Sequence, residues 1–141
     1  MPRGLRHRAR IASLQALFEI EFAANQPDSI LERTLQETGL IGEGVEFARA
    51  LVQGVICKKQ FLDQIIGSYA PAFPVGQLAP MDRNILRLAL FEIIVQKSVP
   101  LKVAVNEAIE LAKEFGSETS PKFINGVLGS VIADIEKQRS K

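Results

Sequence analysis

The sequence has 141 residues with no tryptophan, one histidine and one cysteine, and each shortage removes a class of chemistry. A lone cysteine makes no internal disulfide and no zinc cluster, and a lone histidine makes no multi-histidine metal site. No Gly-rich phosphate loop, GxSxG elbow, HExxH or CxxC spacing occurs. Carboxylates such as Glu107 and Glu110 lie close together, but a solvated helix face supplies such pairs. Nothing argues for an enzyme, and no cofactor or metal is implied. Cys57 reads as a small buried hydrophobe rather than a nucleophile.

Long apolar runs are missing too. The densest stretch, Ile85 to Val95, is interrupted by Arg87 and Glu92 and falls well short of the roughly 20 residues that span a bilayer. The amino terminus has no secretory apolar run, and its arginines lack the serines of a transit peptide. The expectation is a soluble, cytoplasmic protein with no membrane partner.

What is present is charge in an uneven distribution. The 17 basic and 16 acidic residues leave a net +1, yet Arg3, Arg6, Arg8 and Arg10 put +4 on the first ten residues. The body is mildly acidic, and this asymmetry suggests a polyanionic partner. With 47% hydrophobic residues, a chain this long buries roughly 70% of its unfolded surface, enough for a core without staples.

The periodicity is helical nearly throughout, so the fold class expected is all-α. Ile11, Leu14, Leu17, Phe18 and Phe22 form an apolar stripe on a helix from about 5 to 24, ended by Asn25, Gln26 and Pro27. A short second helix is capped by Asp28 or Ser29 and closed by Gly39. After Gly42 and Gly44 a long third helix runs to about Gly67, with Ala48, Leu51, Val52, Val55, Leu62, Ile65 and Ile66 inward. The proline-rich segment 70–80, APAFPVGQLAP, divides the chain into helical subdomains of about 1–70 and 78–141. Pro80 then opens a helix, MDRNILRLALFEIIVQ, apolar almost all round and therefore central. A helix of about 102–115 buries Val105, Ala108, Ile109 and Ala112 and ends on Gly116 as a left-handed cap. The last helix has Ser120 as N-cap, Pro121 at its first position, and Phe123, Val127, Leu128, Val131 and Ile135 inward. Asn125-Gly126 is a hairpin dipeptide, but its flanks lack strand alternation. A helical Gly126 costs about 1 kcal/mol relative to Ala, and close helix–helix approach is one reason to keep it.

Three groups of residues suit a nucleic acid. Arg6, Arg8 and Arg10 present forked guanidiniums matched to phosphates and to stacking on bases. A helical arm would place Arg6 and Arg10 as repelling i, i+4 neighbours against the helix dipole, costs that favour a bound anion or ordering on binding. The bland reading is a solvated basic terminus. Arg83 and Arg87 form a second basic pair after Asp82, and Arg87 either reaches an edge or pairs with an acid such as Glu92 or Glu107. Lys122 and Phe123 begin the last helix, whose free N–H groups can hold a phosphate; Phe123 either stacks on a base or fills core.

Taken together, RHRARIASLQALFEIEF, MDRNILRLALFEI and VPLKVAVNEAIELAKEFGSETSPKFINGVL closely resemble the NusB family of transcription antitermination factors. The resemblance is strongest over residues 6–22 and 78–132, and VNEAIELAK…KFINGVL is its most specific block. The same domain also occurs ahead of ribosomal RNA methyltransferases, and a stand-alone factor is the better match here. The family implies an all-α fold of two helical subdomains acting as a single RNA-binding domain, and an adaptor rather than an enzyme. It implies as partners the small-subunit ribosomal protein that doubles as NusE, boxA-type single-stranded RNA, and the RNA polymerase antitermination complex that transcribes ribosomal RNA operons; a homodimer is also compatible. Arg6, Arg8 and Arg10 match the family's Arg-rich RNA-binding arm. Phe18 stands where tyrosine is common, losing a hydroxyl and keeping a ring to stack, and Asp82, Arg87, Lys122 and Phe123 match positions near the RNA path. The competing readings are a protein-binding helical scaffold with an incidental basic arm, and a ribosome-assembly RNA chaperone.

Overall fold

The computed structural model describes residues 3–23, 26–72 and 74–140. Asn25, expected to end the first helix, lies outside the described residues, as does Phe73 within the segment 70–80. Seven α-helices follow in order, with no strand among the described residues: α1 Arg3–Phe22, α2 Pro27–Thr38, α3 Glu43–Cys57, α4 Lys59–Tyr69, α5 Pro80–Leu90, α6 Leu101–Phe115 and α7 Ser120–Arg139. A 3-10 turn at Val75–Gln77 precedes α5, and a π-helical segment, Phe91–Gln96, continues it.

The chain forms two compact units, Met1–Cys57 and Lys58–Lys141. The boundary therefore falls at residue 57 rather than in the proline-rich segment 70–80, and the long third helix expected to reach Gly67 is two helices. No proline marks this break. The stripe Ala48, Leu51, Val52, Val55 packs with α1 and α2, whereas Leu62 and Ile66 are buried where α4 packs on α5 and α7. Cys57 ends α3 exposed, which corrects its reading as a buried hydrophobe: at the last turn it faces away from the stripe.

In the first unit, α1 packs against both α2 and α3. Its buried face is Ala9, Ala12, Ala16, Leu14 and Leu17, together with Ser13 and Arg10. Phe18 and Phe22, expected inward, are exposed, Phe22 by 62%. Small residues occupy the inner face instead, where the Ser13 hydroxyl donates to the Ala9 carbonyl at 2.8 Å. Pro27 opens α2 at the first-turn position and Gln26 precedes it, so neither Asp28 nor Ser29 caps it. Gly39 closes α2 in the left-handed region, φ 71°, a conformation that glycine adopts without strain. Surface ion pairs then align the helices: Arg49 makes two 2.9 Å bonds to Glu32, and Arg33 bonds Glu19. The Arg49 bonds hold the Glu32 carboxyl below its usual range; being exposed, such pairs orient more than they stabilise.

In the second unit, α5 is central as its composition requires. Seven consecutive residues, Asn84 to Leu90, are buried. The π segment closes with the Lys97 N–H donating to the Glu92 carbonyl at 2.9 Å, five residues back, and Lys97 turns left-handed at φ 54°. In α6 the buried residues are Ala104, Ala108, Leu111 and Ala112, with Val105 and Ile109 only partly covered. Gly116 is extended (φ −92°, ψ −168°), not left-handed. Its need is steric, since a Cβ would meet the Ser120 Oγ at 2.5 Å and the Ala112 carbonyl at 2.8 Å. Ser120 is the first residue of α7 rather than its cap. It is buried, and its hydroxyl accepts the Ser117 N–H at 2.9 Å. Asn125 and Gly126 are helical as expected, but a Cβ on Gly126 would meet nothing within 4 Å, so close packing does not explain it. Ile124, Val127, Leu128 and Val131 form the buried face of α7, while Phe123 and Ile135 are half-buried.

Two glycines of one unit thus carry opposite expectations. Gly116→Ala should destabilise by about 1–3 kcal/mol through overpacking, and Gly126→Ala should stabilise by about 0.5–1 kcal/mol through helix propensity. Urea denaturation of both variants checks this, and a stabilised Gly116→Ala would contradict the crowding. A second expectation concerns Tyr69, the one tyrosine of the chain. Its hydroxyl donates to the Asp134 carboxylate, and that bond, foremost, raises the phenol above its ordinary value of 10.0. The bond favours the protonated phenol, so its stabilisation is present below the unfolded value and fades as pH rises through the folded one. Absorbance near 295 nm follows this single phenol without interference from tryptophan, and Asp134→Asn should move its midpoint down.

Candidate nucleic-acid interface

On α1 the three candidate arginines separate. Arg8, Ile11, Gln15, Phe18 and Phe22 follow 3- and 4-residue steps along one stripe, and Arg6, Arg10, Ser13 and Leu17 follow the opposite one. Arg8 is exposed, and its guanidinium donates to the Thr38 carbonyl at 3.3 Å. Phe18 lies farther along the same outer face, its ring centroid 5.2 Å from that of Phe22. Arg6 and Arg10 turn inward to Phe47 of α3, their Cζ atoms 5.5 Å and 5.3 Å from its ring centroid. Arg10 is only 2% exposed. The arm is therefore helical from Arg3, with one outward and two ring-stacked guanidiniums rather than a uniform solvated strip.

In the second unit the basic pair on α5 is structural. Arg87 is 5% exposed, and its Nε and Nη2 donate to the two Asp63 carboxylate oxygens at 2.7 and 3.0 Å. Asp63 of α4, itself partly exposed, is thus an acid facing it, and one that the sequence did not suggest beside Glu92 and Glu107. A guanidinium committed in this way is poorly placed for a surface phosphate contact, unlike the role the family resemblance implies for Arg87. Arg83 donates to the Leu78 carbonyl at 2.7 Å and tethers the 3-10 turn. Asp82 sits half-buried in the first turn of α5, where a carboxylate suits the helix dipole. Its Oδ1 is shut off from solvent without a hydrogen-bond partner, so only the rest of this half-buried carboxylate can face a ligand. Lys122 is exposed in the first turn of α7, next to half-buried Phe123, and no acid shares that turn. Ser120 and Phe123 already donate their N–H groups to the Ser117 and Thr119 carbonyls and Pro121 has none, so what this turn offers a phosphate is chiefly the Lys122 charge. Each unit therefore contributes its own set: Arg6, Arg8, Arg10 and Phe18 in the first, Asp82, Lys122 and Phe123 in the second.

Sequence reasoning missed Phe47 and Asp63. Neither carries a local signal, because each acts on residues 24 to 41 positions away. No group of three or more His, Cys, Asp or Glu among the described residues is placed to hold a metal ion, and no helix there is long and apolar enough to cross a membrane.

These features define the class: an all-α protein of two helical units, each carrying cations beside aromatic rings. The NusB family model matches residues 7–133. The transcription antitermination protein NusB of Dehalococcoides mccartyi is 48% identical over 96% of this chain and 97% of that one. Among solved structures, the NusB of T. maritima superposes with a TM-score of 0.84 at 37% identity, covering 93% of this chain and 90% of that one. A structure of the antitermination factors NusB and NusE in complex with dsRNA shares the fold, with a TM-score of 0.84 at 24% identity, covering 92% of this chain and 97% of that one. The chain belongs to the NusB family.

Breaking the Arg87–Asp63 pair should act on stability. Arg87→Ala, which strands a partly covered carboxylate, should cost about 3 kcal/mol, read as a lowered urea midpoint. An Arg87→Ala protein of wild-type stability would return Arg87 to the set of candidate RNA contacts.

Proposed function

We propose that the chain is a transcription antitermination factor: an RNA-binding adaptor that, with the small-subunit ribosomal protein serving as NusE, binds boxA-type single-stranded RNA. In that role it joins the RNA polymerase antitermination complex in the cytoplasm and supports processive transcription of ribosomal RNA operons. Its 141 residues work as one RNA-binding domain and carry out no chemical step. The observation that carries this reading is the near full-length identity of 48% to a transcription antitermination protein. The binding of NusE and RNA by a protein of the same fold supports it.

The side chains suit the task. Single-stranded RNA is held by phosphate contacts together with stacking and edge contacts to splayed bases. Arg8 and Lys122 offer exposed charge, Phe18 an exposed ring, and the half-buried Asp82 a carboxylate acceptor for a base N–H. So few cationic contacts bind weakly alone, which fits an adaptor whose surface is completed by a protein partner.

Salt titration tests this. With the ribosomal partner present, affinity for boxA-type RNA should fall with salt at a slope near −0.7 per phosphate neutralised. Replacing Arg6, Arg8 and Arg10 together by Ala should flatten the slope by about two phosphates' worth. Unchanged affinity and slope would remove the arm from the interface. Partner binding with no RNA uptake would favour the protein-binding scaffold.

A further inference from the structure

The start of α1 places two like charges on one ring. Arg6 and Arg10 are one turn apart, both over Phe47, with Cζ-to-centroid distances of 5.5 and 5.3 Å. Like charges at this spacing repel, and the first turn of α1 contains no acid to offset the positive end of its dipole. The Arg6 Nε is shut off from solvent and makes no hydrogen bond. A buried donor without an acceptor is costly, so something else must hold that side chain in place. The quadrupole of the Phe47 ring does so: it attracts cations over its face without neutralising them. For Arg6, a carboxylate in the same place would have cancelled the charge. Arg10, almost wholly buried, forms the fixed side of the arrangement, and half-exposed Arg6 is the guanidinium a ligand can reach.

We propose that Phe47 is a positioning residue for RNA binding, its ring holding Arg6 beside Arg10 so that the Arg6 guanidinium meets one phosphodiester group of the bound strand. The inference rests on the RNA-binding reading above. Phe47 touches no nucleotide in this arrangement; it fixes beforehand a long side chain that would otherwise lose its rotamer freedom on binding. The ring also explains how a guanidinium with a buried, unpaired nitrogen is kept in a folded helix.

A double-mutant cycle on the full chain, with the ribosomal partner and boxA-type single-stranded RNA, tests it. Phe47→Leu keeps every charge and an apolar side chain, and should weaken RNA binding about tenfold. Phe47→Tyr keeps the ring face and should bind within about twofold of wild type. Arg6→Ala should cost about tenfold in the wild-type background but under about threefold beside Phe47→Leu, because ring and cation act as a unit. An equal cost of Arg6→Ala in both backgrounds, or wild-type affinity in Phe47→Leu, overturns the proposal and leaves RNA binding standing. A wild-type chain that takes up no RNA overturns both. A separate measurement needs no variant to fold: the Arg6 guanidinium proton of the wild-type protein should resonate upfield from ring current and shift when RNA is added. An unshifted resonance in the free protein overturns the proposal.

Discussion

A helix buried on every side must do something about any charge it carries, and α5 carries Arg87 in its most deeply buried stretch. The compensation comes from Asp63 of α4, two hydrogen bonds that occupy both carboxylate oxygens. Much of the second unit follows. α4 is held against α5 rather than continuing α3, so the chain divides at Lys58 and not at its most obvious punctuation. With α4 in place, Leu62 and Ile66 complete the core around α5 and α7. A largely buried pair of this kind, with Asp63 partly exposed, adds little net stability over an apolar substitute, but removing one partner is expensive. Its contribution is to specify which helix lies against which.

The first unit solves a related problem differently. There the inward cations are held by an aromatic ring, and small residues (Ala9, Ala12, Ser13 and Ala16) form much of the buried face of α1. Leu14 and Leu17 complete that face, while the aromatic rings of Phe18 and Phe22 stand on the outer one, on the same stripe as Arg8. The carboxylate in one unit neutralises the charge of Arg87; the ring in the other holds Arg6 without neutralising it. The same residue type, arginine, thus serves architecture in α5 and recognition in α1.

Much of this was legible in the sequence. Helical periodicity, the central all-apolar helix, the Gly39 cap and the helical state of Asn125-Gly126 all follow from local patterning, because each depends on residues within a few turns. The resemblance to the family rested on three blocks, and relatives over nearly the whole chain bear it out. What patterning misjudged depends on distant partners. The break at Lys58 has no proline to announce it, and the inner face of α1 is set by small residues that a search for bulky stripes overlooks. Gly116 shows the same limit: its place after a helix suggested a left-handed cap, whereas the crowding comes from Ser120 in the next helix. Arg87 was recognised as a charge needing an acid, but the Asp63 that it bonds lies 24 residues away, beyond any helical spacing.

The scarcity of reactive and absorbing residues has a practical side. Cys57 is exposed at the last position of the first unit, and the single phenol, Tyr69, belongs to the second. With no tryptophan in the chain, each unit has its own optical handle. A thiol-attached dye reports on one and the native phenol on the other, with no residue added or removed. Whether the two halves melt together or in sequence is therefore readable in one cuvette without any change of sequence.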